Sequence, residues 1–309
     1  MDDVRAVDVT LRDGGKVNGH RWSARQAERV VAACAQAGVD RVEVGYLRPR
    51  RQRVDGDLAP AASCPPRYLE GLRERAGRAE LVVMARAADT EPRDLAALAP
   101  HGVRHVRMPF RADGLGGVAP FADAAHEAGM DFGVNLFDVS RMTVDEVCRA
   151  GQRAEEAGAD VFYLADSHGS LLPEHVRRLA RALRAAIGLP LGFHAQDSIG
   201  MAFANCLAAM GEGVTHLDGT LAGVGTDGGN LRLELLVAHL RARGRTDLAV
   251  TPLVAAAESL LTPWPGLGIT ARAAYAANAV LESARHDPAH WRGKPDDEVL
   301  ALFDQTDIR

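Results

Sequence analysis

One phrase recurs through this chain and constrains its fold more than any other feature. An alanine-rich helical stretch ends in a glycine, one or two residues follow, and a short β-branched strand begins. It reads Ala35-Gln36-Ala37-Gly38-Val39-Asp40 before a strand at 41–44, His101-Gly102-Val103 before 104–108, and Glu127-Ala128-Gly129-Met130 before 131–135. It returns as Ala157-Gly158-Ala159-Asp160 before 161–164 and as Gly211-Glu212-Gly213-Val214 before 215–218. Glycine just past a helix end followed by a strand is the αβ half of a βαβ unit. The opening strand, Leu81-Val82-Val83-Met84 and Pro190-Leu191-Gly192-Phe193 bring the strands to eight. Eight such units over roughly 240 residues match an α/β chain folded as a (β/α)8 TIM barrel. An open doubly wound sheet is the alternative, and the even count together with a site contributed from both ends of the chain favours closure. The expected division is a catalytic barrel over 1–240 and a small C-terminal helical extension over 241–309. Pro252, Pro263 and Pro265 punctuate the extension before an alanine-rich helix at 270–285.

Composition narrows the function classes. The 36 basic and 41 acidic residues leave a formal charge of -5, which gives no field for nucleic acid. Lysine occurs only at 16 and 294 in an arginine-rich chain, so local arginine runs say little about partners. The acidic start Met1-Asp2-Asp3 and the lack of an apolar run near the ~20 residues of a bilayer span predict neither a signal peptide nor a membrane segment. Cys34, Cys64, Cys148 and Cys206 show no paired spacing, which fits a reducing cytoplasm.

A barrel carries its chemistry at the C-terminal ends of its strands. Polar residues gather there in this sequence, whereas the opposite ends read mostly as Gly-Val or Gly-Ala junctions. Strand one runs into Arg12-Asp13-Gly14-Gly15, strand two carries Glu43, strand four ends at Arg107 and strand five near Asn135. Strand six leads to Asp166-Ser167-His168-Gly169, strand seven to His194-Ala195-Gln196-Asp197, and strand eight to Asp218-Gly219 and a glycine-rich loop ending at Asn230. The long segment 47–66 follows strand two on this face and reads equally as a cover for a site or as a surface loop.

His194 and Gln196, two apart on a strand, share a face and can reach one ion. Asp13 offers an anionic oxygen and Asn230 an amide oxygen. One imidazole and three oxygens suit a hard or borderline ion, Mn2+ or Mg2+, with Co2+ or Zn2+ as alternatives. Each residue alone has a plainer reading: a histidine at a strand end is commonly structural, and an Arg-Asp pair is commonly a surface ion pair.

Thr10-Leu11-Arg12-Asp13-Gly14, Asp166-Ser167-His168-Gly169, Gly192-Phe193-His194-Ala195-Gln196-Asp197 and the stretch from Asp218 to Gly225 with Gly229-Asn230 together resemble the DRE-TIM metallolyase superfamily. That superfamily includes 4-hydroxy-2-oxovalerate aldolase, HMG-CoA lyase and the isopropylmalate and homocitrate synthases. The resemblance runs in order over roughly residues 5–240. The placement of His20 after Arg12-Asp13 is similar to the 4-hydroxy-2-oxovalerate aldolase branch, in which a histidine there is the acid/base. The departure is Gln196, where the family has a second histidine ligand. An amide oxygen is a poorer donor to a transition ion, which leaves metal affinity and identity open.

The resemblance implies a divalent-metal-dependent class II aldolase that makes or cleaves a 4-hydroxy-2-oxo acid through a pyruvate-type enolate. Asp13, His194, Gln196 and Asn230 would hold the metal, Arg12 would face the developing oxyanion, and His20 would move the proton of the 4-hydroxyl. Glu43 and Asp166 are expected to support Arg12 or a metal-bound water at the edge of the substrate site. Arg107 is read either as a carboxylate clamp or as an outward-facing charge, and Tyr275 either as a substrate residue or as core. The glycine-rich loop 223–229 is read as the turn presenting Asn230, with phosphate or CoA recognition left open. A Claisen-type acyl-CoA synthase is the runner-up and a non-catalytic homologue a further alternative, while two lysines make a Schiff-base aldolase unattractive. A 2-oxo acid and an aldehyde, a homodimer and an aldehyde dehydrogenase partner complete the expectation.

Overall fold

The computed structural model describes residues 4–49, 58–226 and 228–261, together with 294, 295 and 298. Eight parallel strands close into a barrel in chain order: β1 (Arg5–Asp8), β2 (Arg41–Leu47), β3 (Glu80–Ala85), β4 (Val103–Phe110), β5 (Asp131–Leu136), β6 (Val161–Asp166), β7 (Leu191–Ala195) and β8 (His216–Gly219). The last strand pairs with the first, Arg5 opposite His216 and Asp8 opposite Gly219. All eight strands expected from the sequence, five from the glycine phrase and three from other apolar runs, are present, and the barrel is closed.

The outer ring contains α1 (Ala24–Gln36), α2 (Pro60–Ser63), α3 (Pro66–Arg73), α4 (Ala119–Glu127), α5 (Val144–Glu156), α6 (Pro173–Ala186), α7 (Ala202–Gly211) and α8 (Leu233–Ala242). Reciprocal caps start two of these helices, Ser23 with Gln26 on α1 and Thr143 with Glu146 on α5, and each satisfies amides that helix geometry leaves unpaired. A further helix, α9 (Thr251–Leu261), packs on α1 and buries Leu253, Ala256, Ala257 and Leu260. Within the expected extension, residues 262–293, Tyr275 included, and 296, 297 and 299–309 lie outside the described residues.

Alternation along the strands decides what fills the interior. Val42, Val44, Val106, Met108, Phe162, Leu164, Phe193 and Leu217 belong to the apolar layer between sheet and helices. The residues between them, Glu43, His105, Arg107, Tyr163, His194, His216 and Asp218, are buried and polar. This barrel therefore has a largely polar inside, and it needs internal partners for its charges. The polarity extends to the N-terminal end, where Arg41 binds Glu80 at 2.8 Å and Asp131 at 3.3 Å beside His105 and His216. That end reads in the sequence as plain glycine junctions, and the structure corrects this. Gly192 has a packing role, because a Cβ there would run into the ring of Tyr163.

Candidate active site and metal position

The chain leaves β1 at Asp8 and turns inward over the barrel mouth. Asp8 accepts from the Thr10 amide (3.2 Å) and hydroxyl (2.5 Å), and the Thr10 hydroxyl accepts from the Leu221 amide (2.8 Å). The amides of Asp13 and Gly14 both donate to the Val9 carbonyl, at 2.8 and 3.3 Å. A 3-10 turn over Gly14–Asn18 follows, and then two residues in the left-handed region, Gly19 (φ 65) and His20 (φ 59). For histidine that conformation costs on the order of 1 kcal/mol. It folds the imidazole back over Gly15, where an added Cβ would lie 2.5 Å from His20 Nδ1.

Six charged or polar side chains then form a closed ring inside the barrel. Arg12 donates from Nη1 to Asp13 Oδ1 and from Nε to Glu43 Oε2, both at 2.5 Å. The other Glu43 oxygen lies 3.6 Å from Arg107 Nε. Arg107 forks onto Asp218 at 3.0 and 2.6 Å and also donates to Asn135 Oδ1 at 3.1 Å. Asp218 binds His194 Nδ1 at 3.0 Å, and His194 Nε2 lies 3.8 Å from Asp13 Oδ2. The guanidiniums of Arg12 and Arg107 sit between the carboxylates of Asp13, Glu43 and Asp218, and the His194 ring bridges Asp218 and Asp13, so each buried charge has a partner of opposite sign.

The electrostatics follow from that arrangement. Burial would raise the Asp13 carboxyl, but the charges of Arg12, Lys16 and His194 outweigh it and hold the group well below the ordinary carboxylate range. Burial opposes the charge on Arg12, and Glu43 and Asp13 more than restore it. Asp218 is likewise depressed, its burial overcome by Arg107 and His194. His20 behaves oppositely: burial first and then the nearby Arg48 push it down to about 4, so it is neutral near pH 7.

Whether a divalent ion fits depends on unused donors. Asp218 occupies His194 Nδ1 and so directs Nε2 toward Asp13, the orientation expected of a metal-binding imidazole. Asn230 donates to Asp13 Oδ2 at 3.0 Å, which leaves its own Oδ1 buried without a partner. Gln196, paired to Asn230 through the backbone, has an equally orphaned Oε1. An anionic carboxylate, an imidazole nitrogen and the orphaned amide oxygens of Asn230 and of its backbone partner Gln196 are a donor set that fits a cation preferring oxygen. Among the described residues no group of three or more His, Cys, Asp or Glu side chains could hold a metal, so the amides are needed to complete this set.

The structure thus brings Arg12, Asp13, His194 and Asn230 together, with Gln196 on the adjoining backbone. Glu43 accepts from Arg12 Nε. Arg107 is neither outward-facing nor available as a clamp: it is fully buried with its donors turned to Asp218 and Asn135. Asp166 accepts the amides of Ser170 and Leu171, both at 3.1 Å, and so shapes the loop after β6. Burial lifts it to about 6, and those amides only partly oppose the shift. Sequence reasoning missed Asp218 as the partner of His194, Lys16 as a partner of Asp13 at 2.5 Å, and Tyr46, whose ring meets that of His20 edge-on at 5.2 Å. The signal for Asp218 was its position two residues after His216 on an inward face, opposite His194 in the β7–β8 register.

Comparison with known proteins gives this geometry its family. The HMGL-like family model matches residues 114–260. An oxaloacetate decarboxylase of Mycobacterium tuberculosis is 32% identical over 241 residues, covering 77% of this chain and 70% of that protein. A 4-hydroxy-2-oxovalerate aldolase of Thermomicrobium roseum is 31% identical over 267 residues, covering 84% and 73%. The chain belongs to the HMGL-like family. Among solved structures, the HMG-CoA lyase of Bacillus subtilis superposes with a TM-score of 0.72 at 19% identity over 83% of this chain and 92% of that one. The N-terminal domain of an aldolase-like protein from Bacteroides vulgatus gives 0.78 at 22% identity over 98% and 97%. At those identities the two structures speak for the fold alone. As an HMGL-like protein the chain is a DRE-TIM lyase-type enzyme, of a family that depends in general on divalent metal. No helix among its described residues is long and apolar enough to cross a membrane.

Proposed function

We propose that this HMGL-like enzyme is a class II aldolase that makes or cleaves a 4-hydroxy-2-oxo acid through a pyruvate-type enolate. The observation that supports the reading is the meeting of Arg12, Asp13, His194 and Asn230 at one mouth, with the amide oxygens of Asn230 and its backbone partner Gln196 buried without partners and a neutral histidine held over the same turn. A divalent ion held by Asp13, His194, Gln196 and Asn230, Mn2+ or Mg2+ by the character of the donors, would supply Lewis acidity toward a 2-oxo acid. Arg12 is fixed by Glu43 and Asp13 through Nε and Nη1, and its Nη2 takes part in neither bond. A guanidinium held in this way presents permanent charge to an enolate oxygen without reorganising. His20 Nδ1 is buried without a hydrogen-bond partner, and burial keeps the ring unprotonated near pH 7, so that nitrogen is open to a proton. It takes the proton of the 4-hydroxyl as the carbon–carbon bond breaks and returns it on condensation. Asp218 and Arg107 act through His194, fixing its ring.

The decarboxylase relative supports a second reading, in which the same enolate forms by loss of CO2 from oxaloacetate. That route needs no 4-hydroxyl proton and so no His20. An acyl-CoA synthase is not favoured by these relatives. Cytoplasmic location, a homodimer and an aldehyde dehydrogenase partner belong to the aldolase proposal, and light scattering of the purified protein alone and with such a dehydrogenase tests the assembly.

The deciding experiment follows exchange of pyruvate methyl protons in D2O by NMR, using chelator-treated protein with Mn2+, Mg2+, Co2+ or Zn2+ restored. Metal-dependent exchange that vanishes in Asp13→Ala is expected. Its absence with every metal, for pyruvate and 2-oxobutyrate alike, overturns the reading. CO2 release from oxaloacetate that survives His20→Ala, without aldol cleavage in the wild type, selects the decarboxylase.

A further inference from the structure

Lys16 is unaccounted for in that chemistry, yet it touches the central carboxylate. Its ammonium lies 2.5 Å from Asp13 Oδ1, the oxygen that Arg12 also binds. Local geometry dictates the contact: the chain turns as a 3-10 helix over Gly14–Asn18 with Asp13 at its cap, and side chains three apart on such a helix eclipse one another. The Asp13 side chain is fully buried, whereas that of Lys16 is 37% exposed, so the ammonium covers the carboxylate from the solvent side. Composition adds weight, since the chain uses lysine at only two positions, 16 and 294, among 36 basic residues. An ammonium differs from guanidinium in being a compact point charge on a flexible stem. It can sit where a small cation sits and withdraw into water.

We propose that Lys16 is a tethered cation that contests Asp13 with the divalent ion and sets how tightly the metal is held. The inference rests on the metal-dependent reading above. Asp13 is the one anionic member of the ligand set, because Gln196 and Asn230 offer neutral amides and His194 a neutral nitrogen. A fixed positive charge on that carboxylate therefore acts against most of the electrostatic attraction the site can offer. Entry of the ion requires the ammonium to swing out along its exposed stem, and departure of the ion lets it return. The bound ion is then exchangeable, and Asp13 keeps a counter-charge throughout.

The test is Mn2+ binding to chelator-treated protein, read as loss of the free-ion EPR signal, for the wild type, Lys16→Met, Lys16→Arg and Asp13→Ala. Lys16→Met removes the charge at a half-exposed turn and is expected to tighten binding about tenfold or more. Lys16→Arg keeps the charge and is expected to stay within about threefold of the wild type. Asp13-dependent binding that is equal or weaker in Lys16→Met overturns this inference and leaves the metal-dependent reading standing. Tightening of the same size in Lys16→Arg also overturns it, because the charge would then not be the cause. Binding absent from both wild type and Lys16→Met, or unaffected by Asp13→Ala, removes the inference together with the reading beneath it.

Discussion

The pair Arg107–Asp218 is where the charge ring is most exposed to a single substitution. Arg107→Met keeps most of the stem volume and removes the guanidinium. Asp218, fully inside the barrel, would retain only the 3.0 Å bond to His194 Nδ1, and Asn135 Oδ1 and the second Glu43 oxygen would lose their nearest cation. Removing one partner of a buried ion pair costs about 3–5 kcal/mol. The upper part of that range is expected, because two carboxylates and an amide oxygen are affected at once. Asp218→Asn added to Arg107→Met removes the stranded charge, so the double variant should be more stable than the sum of the single losses implies, by about 1–3 kcal/mol. The measurement is urea unfolding followed by far-UV circular dichroism at neutral pH, on the four proteins of the cycle. The sign with pH also follows. The depressed Asp218 contributes stability that is complete above its unfolded value near ~3.9 and is lost only as the pH falls through the lower folded value. The wild type should therefore keep its advantage over Asp218→Asn at every pH above about 4. An Arg107→Met cost below about 1 kcal/mol, or strict additivity in the cycle, would refute the view that the ring is a coupled unit.

Two further outcomes are expected. If His20 is the base, the acid limb of kcat/KM for aldol cleavage should fall near pH 4, where the histidine gains its proton, and an inflection near the unperturbed value of ~6.5 would contradict the burial and Arg48 effects. Gln196→His replaces an orphaned amide oxygen with an imidazole and should tighten Mn2+ or Co2+ binding about tenfold or more by calorimetry, whereas unchanged affinity would mean that this side chain does not face the ion.

The fold was legible because its signal is local and repeated. Each glycine after an alanine-rich stretch marks a helix end within a few residues of the next strand, and no long-range information is needed to find five such junctions and three further short apolar runs. The site was half legible. Asp13, His194 and Asn230 could be grouped because the ends of barrel strands share one mouth, and Glu43 could be assigned to Arg12 for the same reason. What holds them could not be read. Arg107 and Asp218 are 111 residues apart and meet across the interior, between strands that are not neighbours, where neither spacing nor register indicates a contact. The contact of Lys16 with Asp13 depended on the turn being 3-10, and the posture of His20 on a left-handed backbone angle that histidine seldom adopts. The polar floor at Arg41, His105 and His216 was hidden because each residue, taken singly, reads as an outward charge or a surface histidine.

The charge ring also bears on how such a chain becomes competent during synthesis. Its members enter in the order Arg12, Asp13, Glu43, Arg107, His194 and Asp218, so the circuit is completed by the last strand of the barrel. Until β8 docks against β1, Arg107 has no Asp218 to fork onto, and His194 has nothing on Nδ1 to set its orientation. A chain lacking β8 would leave Arg107 and His194 without the Asp218 carboxylate that both contact in the closed barrel. Closure supplies that final counter-charge, so the step that finishes the architecture also sets the reactive groups in place.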